Sequence, residues 1–135
     1  MQNIKLAADA LKNAYAPYSH FKVGCVVVGT SGRLFTGCNV ENASYSATIC
    51  AERVAIGTSV AQGEKSIRQI FLITSSEKPC FPCGVCLQFI SEFGKEVEII
   101  TASFDQKVVS TYKLSELLPH SYDKTFLPTN SRDQG

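Results

Sequence analysis

Apolar positions recur along this chain with a period that changes from segment to segment. Over residues 3–14, Ile4, Ala7, Ala8 and Leu11 return at three- and four-residue spacing, which predicts an amphipathic helix stopped by Pro17. "FKVGCVVVG" (21–29) is an apolar, β-branched run closed by the turn signal "TSGR", and "LFTGCNVE" (34–41) reads as its hairpin partner. Helical spacing returns in "ATICAERVAIGTSVA" (47–61) through Ala51, Val54, Ala55 and Thr58. "IRQIFLITS" (67–75) predicts a buried strand, and 83–93 a helix opening at Pro82, whose fixed φ suits a helix start. "VEIITAS" (97–103) and "VVSTYKL" (108–114) are further strands. Residues 104–107 between them are too few for a parallel crossover, so the two pair as an antiparallel hairpin. "SELL" (115–118) gives a short helix ended by Pro119. The order α-β-β-α-β-α-β-β describes an α/β fold. It is a three-layer α-β-α domain over residues 1–135 with a mixed five-stranded sheet, and a polar tail, loose from about residue 128.

Composition narrows the class of ligand. The 135 residues are 44% apolar, enough for a packed core and too apolar for a disordered chain. Thirteen basic residues face twelve acidic ones, for a net charge of +1, and no basic block supplies the phosphate-neutralising surface that nucleic acid requires. A small neutral molecule fits better. The first residues carry helical periodicity rather than a signal-peptide core, and no stretch approaches the ~18 apolar residues of a membrane span. The expectation is a cytoplasmic protein, in which the six cysteines serve as thiols or metal ligands rather than disulfides.

"KPCFPCGVCLQF" (78–89) spaces Cys80, Cys83 and Cys86 equally, giving two overlapping C-x-x-C units. Such units occur in zinc knuckles, redox dithiols and iron–sulfur sites. The bacterial iron–sulfur run needs another cysteine where this chain has Ile90. A thioredoxin-like reading leaves "CAE" (50–52) without a role. Taken singly, Cys50 is well explained as a small buried residue, and Glu52 with Arg53 as a solvated pair. The conjunction of C-A-E-R (50–53) with P-C-G-V-C (82–86), each opening a helix, is far more specific. If the two helices start at one spot, Cys50, Cys83 and Cys86 form a three-sulfur zinc site with a fourth position free, and both helix N-termini favour the thiolates. Arg53, one turn after Cys50, can hydrogen-bond its sulfur and offset its charge. Cys80 then belongs to the preceding loop as a bystander. A zinc-knuckle binding module using Cys80 as fourth ligand is the non-enzymatic alternative. Cys25 and Cys38, in predicted strands, read as small core residues.

The two motifs match the zinc deaminase pattern H-x-E…P-C-x-x-C in its three-cysteine form. With "YAPYSHFKVG" (15–24), "GCNVENASY" (37–45) and "ELLP" (116–119), the chain resembles the small homotetrameric cytidine deaminases that act on free nucleosides. The resemblance implies hydrolytic deamination of cytidine and deoxycytidine in pyrimidine salvage, with one zinc per chain on Cys50, Cys83 and Cys86. Glu52, not a ligand, would carry protons. Phe21 matches an aromatic that packs on the pyrimidine, while Asn39 and Glu41, on one face of a strand, match residues that hold the ribose 3′-OH. Ala43 and Tyr45 match a turn that reaches the ribose of a neighbouring subunit. Tyr122 stands where a phenylalanine usually enters an adjacent subunit's site. One departure is clear: relatives carry a second arginine after the last cysteine, where this chain has Leu87, which implies a less acidic zinc-bound water. A deaminase of another aminopyrimidine nucleoside, such as blasticidin S, is the nearest alternative; "ENASY" favours cytidine.

Overall fold

The β-branched run at residues 23–28 is apolar at every second position in both phases, and in the computed structural model, which describes residues 2–128, it becomes a strand covered on both faces. The elements are α1 (Gln2–Leu11), β1 (Val23–Gly29), β2 (Leu34–Cys38), α2 (Ala51–Ala61), β3 (Ile67–Thr74), α3 (Gly84–Ser91), β4 (Glu98–Ala102), β5 (Val109–Lys113) and α4 (Leu114–Leu117). The five strands lie in the order β2-β1-β3-β4-β5. Only the β3–β4 pair is parallel; β1–β2, β1–β3 and β4–β5 are antiparallel, so the sheet is mixed as expected.

Side chains of β1 divide between two cores. Val26 and Val28 pack with Phe71, Ile73 and the buried stripe of α1, Ile4, Ala7 and Leu11. Cys25 and Val27 face the other way, against Ala55 and Ile56 of α2 and Leu87 and Ile90 of α3. Each fully buried isoleucine or leucine contributes about 1.5–3 kcal/mol of transfer free energy, so the two apolar stripes hold the helices on opposite faces. The result is the three-layer α-β-α arrangement. Two glycines permit the close approach. A Cβ on Gly24 would fall 2.0 Å from the Ala7 carbonyl oxygen of α1, and one on Gly37 would fall 2.6 Å from the Ala51 carbonyl oxygen of α2.

Topology brings two helix N-termini to one edge. β2 and β3 are each antiparallel to β1, so they run the same way, and β4 runs with them. The units β2–α2–β3 and β3–α3–β4 are therefore both crossovers between parallel strands. α2 and α3 must then both begin near the C-terminal edge of the sheet, the side on which ligands bind in open α/β folds.

Element boundaries differ from the sequence expectations where long-range pairing intervenes. α1 ends at Leu11 rather than 14, because Tyr15 turns away to bridge Val40. β2 stops at Cys38 rather than 41, since the Asn39 amide bonds back to the backbone of Phe21 and Val23. α2 begins at Ala51 rather than 47: residues Tyr45–Ala47 form a 3₁₀ turn, and Ile49 is held extended by two 2.9 Å hydrogen bonds with Val40. Neither Asn39 nor Glu41 is therefore on a strand, and Cys50 precedes its helix. α3 runs from 84 to 91, with Cys83 as N-cap and Pro82 just outside. The short helix expected at 115–118 starts one residue earlier, at Leu114. The tail expected to be loose from about residue 128 falls, from 129 onward, outside the described residues.

Candidate active site and metal centre

Cys50 and Cys83 are the N-caps of α2 and α3, and Cys86 is the third residue of α3. Because both helices start at the same sheet edge, their sulfurs converge: the Sγ atoms of Cys50, Cys83 and Cys86 all lie within 4.8 Å of one another. Zinc–sulfur bonds of about 2.3 Å place tetrahedral thiolates roughly 3.8 Å apart, so small side-chain adjustments suffice to close this cluster on an ion. Three soft sulfurs, with no fourth protein donor in the cluster among the described residues, suit zinc with one position left for another ligand. Cys80 is not among them.

Arg53 reaches the cluster from α2. Its Nη2 donates to the Thr48 carbonyl at 3.2 Å and to Cys50 Sγ at 3.9 Å. Its Nε is buried without a partner among the described residues, a donor still available beside the sulfurs. The Cys50 thiol is pulled below its ordinary range, first by a hydrogen bond with Cys86 and then by Arg53. Cys86 is held up, by that same bond and by burial. One sulfur is thus already disposed to be a thiolate, as a metal ligand must be.

Glu52, on the first turn of α2, is only 4% exposed. Burial is the main reason its carboxyl is pushed up to about 7, and the adjacent Cys50 adds to the shift. A carboxyl of that pKa both accepts and releases a proton near neutral pH.

Above these groups lies a cavity of about 300 Å³ whose lining includes Cys50, Glu52 and Cys83, together with Phe21, Asn39 and Glu41. The remaining wall is largely apolar, from Val23, Leu72 and Phe81, with Thr48, Thr74 and Cys80. A second cavity of similar volume lies beside α4, lined by Lys95, His120 and Asp123 among others, but it holds no sulfur cluster. Chemistry rather than volume distinguishes the first.

Six of the expected residues therefore meet at one cavity directly, and Cys86 and Arg53 support it from behind. Asn39 is buried, and its amide is a brace: Oδ1 accepts from Val23 N at 2.9 Å and Nδ2 donates to the Phe21 carbonyl at 2.8 Å. Glu41 accepts from the backbone N–H groups of Tyr18 and Ser19 and from the Ser19 hydroxyl, which is the main reason its carboxyl lies below the usual range. Three expected residues stay outside. Ala43 is exposed, and Tyr45, 79% exposed, packs edge-on against Tyr18 beside an adjoining cavity. Tyr122 is exposed and tied to Gln88 through its backbone, its ring stacked on Phe126. Cys25 is fully buried as expected, Cys38 partly so. Sequence reasoning missed Ser19, Thr74 and Phe81. Ser19 could have been suspected from its place two residues before Phe21, but Thr74 enters as the end of β3 at the sheet edge and Phe81 through the path of the loop that joins β3 to α3.

Residues 2–102 match the cytidine and deoxycytidylate deaminase zinc-binding region. A probable cytidine deaminase from Dictyostelium discoideum is 43% identical over 120 residues, covering 86% of this chain and 78% of the relative. A cytidine deaminase from Sporosarcina psychrophila is 36% identical over 124 residues, covering 89% and 90%. The solved cytidine deaminase of Burkholderia pseudomallei superposes with a TM-score of 0.85 at 39% identity, covering 90% of this chain and 97% of that one. Sulfur cluster, fold and sequence agree, and the chain belongs to the cytidine and deoxycytidylate deaminase family.

Proposed function

We propose that this chain is a zinc-dependent deaminase of free cytidine and deoxycytidine, converting them with water to uridine or deoxyuridine and ammonia. The observation that carries the reading is the meeting of a three-sulfur cluster and one buried carboxyl, pushed up to about 7, at a single cavity with an aromatic wall. Cys50, Cys83 and Cys86 would hold the zinc, one per chain. When bound, zinc supplies the Lewis acidity that makes water a nucleophile at neutral pH.

The chain's own residues do the rest. Glu52 takes a proton from the water that attacks C4 of the cytosine ring and delivers it to N3. It then takes the proton of the new C4 hydroxyl and passes it to the exocyclic nitrogen, so that the C4–N bond breaks, ammonia leaves and the C4 carbonyl forms. Its near-neutral pKa suits both directions of transfer. Arg53 offsets the excess negative charge of three thiolates, using Nη2 and the free Nε. Phe21 offers a ring face to the pyrimidine, and Asn39, by gripping the Phe21 carbonyl, fixes where that ring stands. An amide has two N–H donors and two acceptor lone pairs, so Asn39 retains one of each for a sugar hydroxyl. Glu41, kept ionised by Ser19, accepts from a second.

Ala43, Tyr45 and Tyr122 enter the reading through a homotetramer with shared sites. What supports this is their exposure and that none of them lines the cavity of their own chain. No described helix is long and apolar enough to cross a membrane, and the reading places the enzyme in the cytoplasm, in pyrimidine salvage. The test is a substrate panel followed by ultraviolet absorbance: cytidine, deoxycytidine, cytosine, deoxycytidylate and blasticidin S with zinc-loaded protein. Loss of the cytosine absorbance with the two free nucleosides is expected. Turnover of blasticidin S alone, or of none, would refute the assignment.

A further inference from the structure

Residues 75–82, between β3 and α3, form a loop without regular structure, and Phe81 lies in it two residues before Cys83. Phe81 is 53% exposed yet lines the cavity beside Cys83. An aromatic in an irregular loop is ordinarily free to swing away. This one is braced from two sides. Outside, its ring packs edge-to-face on Tyr112 of β5, with centroids 5.2 Å apart and planes at 62°. Inside, Thr74 Oγ1 donates to Cys80 Sγ at 3.4 Å and accepts from Ser76 N at 3.1 Å, tying both ends of the loop to the end of β3. Pro82 stiffens the step into α3.

The position of Phe81 relative to the reacting groups gives it a function, on the deaminase reading above. The carbon under attack must lie within reach of Glu52 and the sulfur cluster. The exocyclic nitrogen on that carbon, and the ring carbon next to it, must then face the residues adjoining the cluster. Phe21, Asn39 and Glu41 come instead from the segments flanking β1 and β2 and serve the remainder of the substrate. We propose that Phe81, braced by Tyr112, is a specificity-determining residue: it limits the room at the reacting end and decides which substituents on the exocyclic nitrogen and the adjoining ring carbon are accepted. Tyr112 is a positioning residue, acting through the Phe81 ring.

The test compares wild type, Phe81→Ala, Phe81→Leu, Tyr112→Ala and Tyr112→Phe on cytidine, 5-methylcytidine and N4-methylcytidine, with zinc content measured for each. Packing differences of this size discriminate by about 10- to 200-fold. Phe81→Ala should therefore raise the ratio of kcat/KM for a methylated substrate over cytidine by about ten-fold or more, and Phe81→Leu by less. Tyr112→Ala should shift the ratio the same way through KM rather than kcat, and Tyr112→Phe, which keeps the ring, should restore it. If Phe81→Ala loses zinc, Phe81→Leu carries the test. An active wild type whose ratio does not move in the zinc-loaded Phe81 variants overturns this proposal alone. A Tyr112→Phe shift as large as that of Tyr112→Ala overturns the bracing role. A zinc-loaded wild type that turns over no nucleoside overturns the deaminase reading and this proposal with it.

Discussion

Serine, threonine, aspartate and asparagine dominate helix N-caps because their oxygens accept from free backbone N–H groups, and losing such a cap costs about 0.5–2 kcal/mol. Cys50 and Cys83 occupy the N-caps of α2 and α3 without making any such bond. Local stability is forgone, and the sulfurs face each other instead. This separates metal binding from folding in a testable way. Cys83→Ser should lose bound zinc, measured by metal analysis, while the metal-free protein melts no lower than wild type because serine can cap α3. Cys80→Ser should retain zinc and most activity, since a hydroxyl can replace the thiol beside Thr74; zinc loss from this variant would place Cys80 in the ligand set. The three-cysteine cluster and the buried Glu52 beside it were legible in the sequence because the chemistry fixes residue type and spacing together. Phe81 and Thr74 were not. Thr74 enters the cavity as the last residue of β3, at the sheet edge where α2 and α3 begin, and Phe81 through a loop path that no spacing encodes.

At the level of elements, the hydrophobic pattern predicted the order and pairing of the strands and, α2 apart, each helix start to within one residue. Four residues between the last two strands were enough to dictate an antiparallel pair, and β4–β5 is one. The α2 start was misplaced because Thr48 and Ile49 fit a helical pattern locally while Ile49 is claimed by pairing with Val40. That pairing also leaves Cys50 at the helix mouth rather than inside it. Leu87 shows the same tension. Where the family resemblance implies an arginine, Leu87 packs, 9% exposed, in the core between α2 and α3. Elsewhere a carboxylate stabilises the β1–β2 turn. Glu64, just after α2, accepts from Ser31 N at 3.1 Å and Ser31 Oγ at 2.7 Å, with Thr30 Oγ1 at 3.4 Å. The Ser31 hydroxyl is the main reason its carboxyl is held below the ordinary range. A group whose folded pKa is depressed stabilises the fold above its unfolded pKa, and that stability is lost as pH falls through the folded value. Glu64→Gln should accordingly lower Tm at pH 7, and the gap from wild type should close below about pH 4. A gap that stays constant from pH 7 to pH 3 would mean that charge plays no part in this tie.

The whole molecule sets a buried carboxyl and a three-sulfur cluster at the starts of two helices and leaves Ala43, Tyr45 and Tyr122 facing outward. Exposed Tyr45 and Tyr122 make sense together if each completes a neighbour's cavity, and a helix macrodipole from both α2 and α3 then acts on every shared site. Light scattering should report a mass near four chains for the active enzyme; full activity at the mass of one chain would contradict shared sites. The central claim is narrower and rests on one residue. Glu52→Gln is nearly isosteric and leaves the three cysteines untouched, so it removes only the carboxyl assigned to carry protons. The most direct measurement is zinc content and cytidine turnover on the same preparation of this variant. One zinc per chain with turnover reduced by at least about 10³-fold is predicted, at the scale of general acid–base catalysis. A zinc-loaded variant retaining a tenth or more of the wild-type rate would contradict it.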